Sequence, residues 1–196
     1  MTLIITSIIF GLFIGLAGFL IEKYLRKPKT FDIEKLKQIS NDSFKTAAKS
    51  TGDKALTRAN EIQAADFKVM RFSPPDLLII GGLDLLYSHY IELYFNNCSY
   101  SDLPDVFHWA GFRVATDAEI QKFSTAEKPP TERYKLYCIE AESVDSLTTE
   151  TFYVAADDVT LVEGTVLHRL VENLNRGDRI APWVLTSHEI DNVTPD

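Results

Sequence analysis

Residues 2–21 read TLIITSIIFGLFIGLAGFLI, twenty positions without a charge. As a helix this run rises roughly 30 Å, about the thickness of a bilayer's hydrocarbon core. In lipid only a helix or a closed barrel satisfies the backbone polar groups. Nothing basic precedes the run, and it ends Phe19-Leu20-Ile21-Glu22 with no small-residue cleavage site. The pattern predicts a retained transmembrane anchor over residues 1–27 rather than a cleaved signal peptide. Pro28 marks its end.

The pattern then changes. Ile33, Leu36, Ile39, Phe44 and Ala47/Ala48 recur at helical spacing, as do Leu56, Ala59 and Ile62 after a break at Thr51-Gly52. Residues 28–67 therefore read as a membrane-proximal segment of two amphipathic helices. Ser73-Pro74-Pro75-Asp76 resembles a helix start, and the apolar stretch that follows, to Phe95, predicts one buried central helix. On it Asp84, Ser88 and Glu92 fall four residues apart and line one narrow face. Those acids disfavour a second transmembrane helix, because an acidic residue near a helix centre costs about 2.5–3.5 kcal/mol on insertion.

A short helix is expected near residues 104–111. Another starts at Thr116, which forms a capping-box pattern with Glu119. Residues 133–142, 151–156 and 159–162 read as strands, being rich in aromatic and β-branched side chains. Residues 163–174 read as a helix stopped by Asn175-Arg176-Gly177. Residues 179–186 read as an edge strand, since Pro182 cannot donate to a ladder. Helices first and strands later predict an α+β domain over residues 68–196 with a mainly antiparallel sheet.

Charge adds an orientation. Lys23, Arg26, Lys27 and Lys29 follow the anchor, against a single Glu22. The positive-inside rule puts the C-terminal domain in the cytosol and the N-terminus outside. The four basic residues also favour anionic headgroups of the lipid bilayer. Residues 22–72 hold twelve Lys/Arg and seven Asp/Glu, a net of +5. Residues 73–196 hold eight and twenty-one, a net of −13, and the two sum to the −8 of the chain. So acidic a domain is repelled by anionic lipid and by nucleic acid, which predicts no nucleic-acid partner. Cys98 and Cys138 make no C-x-x-C pair, and in the cytosol they are expected as buried free thiols.

Candidate chemistry is sparse. The chain has no P-loop, no dinucleotide-binding glycine fingerprint, no H-E-x-x-H and no G-x-S-x-G. Asp84, His89 and Glu92 could act as acid and base or around a divalent cation on the expected helix. A solvent-facing stripe on that helix explains the same spacing. His168 with Glu172, and Asp105 with His108, fit exposed pairs better than metal ligands, so no metal and no cofactor is expected. Tyr100 and Trp109 belong to an aromatic-rich stretch, and they are the partner-binding candidates there. In the anchor, Gly11, Gly15 and Gly18 form a small-residue face suited to a second membrane helix. The reading is a single-pass membrane-anchored accessory or adaptor protein. Its acidic domain binds a protein partner, as part of a membrane complex or a homodimer. The alternative is a membrane-tethered carboxylate- or metal-dependent hydrolase.

Overall fold

A computed structural model describes residues 31–73, 75–125, 133–144 and 148–190. The expected anchor lies outside the described residues, with its glycines Gly11, Gly15 and Gly18 and the flanking Lys23, Arg26, Lys27 and Lys29. Among the described residues no helix is long and apolar enough to cross a membrane.

The described residues from Ile33 onward form one compact unit. The elements run α1 (Ile33–Thr46), β1 (Lys49–Thr51), α2 (Asp53–Glu61), β2 (Asp66–Ser73), β3 (Asp76–Gly82), β4 (Ser88–Asn96) and β5 (Tyr100–Ser101). They continue with β6 (Val106–Val114), α3 (Asp117–Thr125), β7 (Lys135–Ser143), β8 (Thr149–Ala156), β9 (Asp158–Leu167), β10 (Arg179–Ile180) and α4 (Pro182–Ile190). The ten strands among the described residues make one sheet in the order β1-β9-β4-β3-β2-β6-β7-β8-β5, with β10 added beside β9. Every pairing is antiparallel except that of β10 with β9. The α+β class and the mainly antiparallel sheet are as the pattern predicted.

The sheet is strongly coiled. All seven long strands send side chains into one buried cluster that contains Phe67, Ile79, Leu93, Phe107, Ile139, Val154 and Leu161. Phe95 of β4 meets Tyr137 of β7 edge to face at 5.3 Å, although several strands separate them in the sheet. At one corner the chain passes from β8 into β9 through Asp157 alone, joining opposite ends of the strand order. Strand twist accumulated over seven strands brings those ends together. Helix α2 adds Ala55, Leu56 and Ala59 to the same cluster. A second cluster lies where Phe123 of α3 covers Leu136, Cys138 and Ala155. The capping box forms as expected: Thr116 N–H donates to Glu119 Oε2 at 2.7 Å, and Glu119 N–H reaches Thr116 Oγ1 at 3.4 Å.

Four expected elements are corrected. The central helix over residues 73–95 is instead the β3–β4 hairpin, and the rival membrane helix falls with it. Leu77 and Ile79 enter the main core, while Ile80 is buried on the other side. A strand covered on both faces reads as an unbroken apolar run, which periodicity cannot tell from a helix. The expected helix over residues 104–111 is part of β6. The expected helix over residues 163–174 is the second half of β9 followed by loop. Of the edge strand over residues 179–186 only Arg179–Ile180 pairs, and Pro182 opens α4 instead. Proline suits a helix's first turn, where its missing N–H is not needed.

Candidate functional site

Two features of the described surface stand out chemically. The first is a buried polar row beside β4. Val159, Leu161 and Val162 of β9 and Ile91, Leu93 and Phe95 of β4 are apolar, yet His89, Glu92 and Arg179 are buried among them. The regular alternation of β4 breaks where β9 carries one more residue than β4, between Glu163 and Val166, with Gly164 at φ +137°. Tyr90 and Ile91 both turn to the main core there, which brings His89 round to Glu92.

Glu92 has three partners. His89 Nε2 lies 3.2 Å from Oε1, Tyr94 O–H donates to Oε2 at 3.3 Å, and Arg179 Nη2 stands 3.0 Å from Oε2. Burial by itself would raise this carboxyl's pKa. The His89 hydrogen bond and the charge of Arg179 outweigh it and leave the pKa below the ordinary value. A carboxylate so engaged is a structural counter-ion rather than a free base.

The row continues through histidine. His89 Nδ1 lies 2.8 Å from His168 Nε2. Trp183 of α4 lies over both rings, 6.0 Å from His89 and 5.3 Å from His168.

The second feature is an apolar end of the sheet. Leu83, Leu86 and Tyr87 in the β3–β4 turn are 64%, 68% and 59% exposed, and Trp109 in β6 is 65% exposed. A ladder of backbone bonds ties them together: Ala65 N–H donates to Gly82 and Trp109 N–H to Ala65, both at 2.9 Å. Trp109 sits in a bulge of β6 with φ +49°, in the left-handed region that non-glycine residues avoid.

The sequence candidates are scattered by this fold. Asp84 is in the exposed β3–β4 turn, where its Oδ1 accepts from Leu86 N–H at 2.8 Å, apart from the His89–Glu92 contact. The helical spacing that aligned Asp84 with Glu92 no longer exists. His108 pairs with Asp66 at 2.8 Å rather than with Asp105. His168 meets His89, and the helical spacing that set it beside Glu172 is likewise absent. Tyr100 is half-buried, edge to face with Phe123 at 5.1 Å. Burial pushes both thiols, Cys98 and Cys138, up to about 11, which makes them poor nucleophiles at neutral pH. Among the described residues no three His, Cys, Asp or Glu side chains cluster as a metal site would require.

Sequence reasoning missed Arg179, the His89–His168 contact and the Leu83–Leu86–Tyr87 turn. The first two join residues more than seventy positions apart with no spacing signal. The turn was absorbed by the helix reading, although Gly81-Gly82 followed by Asp84 is a turn signal.

No family model matches the chain, and comparison with curated proteins and with solved structures finds no match either.

Proposed function

We propose that this protein is a single-pass membrane-anchored accessory or adaptor protein whose acidic domain binds a protein partner in the cytosol. Residues 2–21 are its anchor, with the N-terminus outside and Lys23, Arg26, Lys27 and Lys29 at the cytosolic headgroups. The Gly11–Gly15–Gly18 face packs on another membrane helix, of a larger complex or of a second copy.

The observation that carries this reading is the apolar end of the sheet. Single exposed apolar residues are ordinary, but several large ones held at one place on a folded surface mark a binding site. Aromatic residues are the common anchors of such sites. At Trp109 the backbone holds a costly conformation and the side chain is left in solvent, a combination that folding alone does not require. The −13 net charge of residues 73–196 favours a partner with an apolar socket ringed by basic residues.

The test places a photo-crosslinking amino acid at position 109 of the tagged full-length protein in its native membranes. One dominant crosslinked protein, lost when Leu86→Ser is added to a still-folded domain, is the expected result. Unselective crosslinking, or a product unaffected by Leu86→Ser, overturns the reading.

A further inference from the structure

We infer that charging both imidazoles of the His89–His168 pair drives them apart, loosens the β3–β4 turn and releases the partner held there. The inference rests on the partner reading for what is released, while the opening is measured without any partner.

The pair has room for one proton between its rings. His89 Nδ1 and His168 Nε2 lie 2.8 Å apart, so one nitrogen donates and the other accepts. On its far side His89 Nε2 faces Glu92 Oε1 at 3.2 Å, and an ionised carboxylate only accepts. A neutral His89 therefore carries its proton on Nε2, and His168 Nε2–H donates to its Nδ1. A proton added to the other nitrogen of His168 leaves that bond intact. With both rings charged, N–H faces N–H and the bond is lost. His89 is fully buried, so the repulsion is weakly screened.

The surrounding charges give little relief. Among the described residues the anion beside the pair is Glu92, and Arg179 Nη2 already stands 3.0 Å from its other oxygen. Lys68 of β2 adds to the positive charge felt by His168, and the next residue, Arg169, is exposed. Asp84 of the turn is tied to Leu86 N–H. The described α4 side chains, at residues 182–187, are uncharged, and Trp183 among them covers both rings. Burial, and then His89, hold His168 below its ordinary pKa in the folded chain. A ring that leaves the pair regains its basicity, so acid favours the open form.

His168 is the ring that moves. His89 lies inside β4 and pairs with Val166, whereas His168 follows the last residue of β9 and enters the loop toward β10. The same residue holds the turn, since its N–H donates to Tyr87 O at 2.8 Å. The exposed Leu86 and Tyr87 lie at that link. Moving His168 off His89 strips the turn of this bond and shifts the apolar side chains that a partner meets.

The experiment uses the full-length protein in lipid nanodiscs. Trp109→Phe leaves Trp183 as the single tryptophan of the chain. Its fluorescence is followed from about pH 7.5 to about pH 5, across the ordinary histidine range. The expected result is a reversible change with its midpoint below 6.5, while far-UV circular dichroism stays constant. His168→Asn, which keeps a donor for His89 but does not titrate, should abolish the change. In native membranes the yield of the selective crosslink from position 109 should fall at least about fivefold over the same range, and hold steady in His168→Asn. If His168→Asn does not fold, nitrogen NMR of the histidines decides, since protonation of His168 must coincide with the Trp183 change. A flat Trp183 signal, one that persists in His168→Asn or does not track His168, or a selective crosslink that keeps its yield in acid overturns the inference and leaves the partner reading intact. Unselective crosslinking at neutral pH overturns the partner reading, and the release with it.

Discussion

Replacing Gly81 by alanine separates the hairpin from the helix over residues 73–95 by the sign of its effect. Inside a helix, glycine to alanine stabilises by about 1 kcal/mol. In β3 the new Cβ would fall 2.6 Å from Cε1 and 2.8 Å from Cδ1 of Phe67. Phe67 cannot step aside. Its ring stacks on Phe107 at 5.4 Å, 5° from parallel, and meets Phe112 edge to face at 5.4 Å. Overpacking of this kind costs about 1–3 kcal/mol. In a domain of this size each kcal/mol moves the midpoint by about 2–4 °C, so Tm should fall by about 2–12 °C. Gly82→Ala is the milder control, since its nearest atoms, Leu85 Cδ2 and Ser88 O, lie at 3.3 Å. Thermal and urea unfolding of the full-length protein give the comparison. A Gly81→Ala midpoint equal to or above wild type refutes the packing of β3 against β2.

Three further outcomes test the site. Trp109→Gly should be more stable than Trp109→Ala by roughly 0.5–1 kcal/mol in urea unfolding, the reverse of the usual order, because only glycine tolerates φ +49° without strain. Glu92→Gln should cost about 3–5 kcal/mol in the same assay, since it leaves the Arg179 guanidinium without its buried counter-ion. Burial, and then the neighbouring His89, hold His168 below its ordinary pKa of 6.5. The unfolded chain therefore takes up this proton before the folded chain does. Stability from His168 is complete above about pH 6.5 and is lost as pH falls through the lower folded value. A Tm series from neutral to mildly acid pH should show this slope in wild type and a shallower one in His168→Asn.

What was legible in the sequence depended on whether a local pattern had one structural solution. The Thr116–Glu119 capping box could only begin a helix, and α3 starts there. The aromatic and β-branched runs of β7 and β8 alternate between two cores, Tyr137 and Ile139 to one side and Leu136 and Cys138 to the other. A strand predicts that directly. Residues 73–95 had two solutions, because strands buried on both faces lose the period-two signal. Glu92 then looked like part of a wet helical stripe together with Asp84. In the folded chain Glu92 and Tyr94 alternate along β4 with Ile91, Leu93 and Phe95, which enter the main core. Trp109 was visible as an aromatic candidate, but its left-handed backbone follows from a register shift between β6 and β7 that no local sequence specifies. The polar row was illegible for a different reason. Arg179 reaches Glu92, and His168 reaches His89, only because β10 is laid beside the end of β9, and that end beside β4.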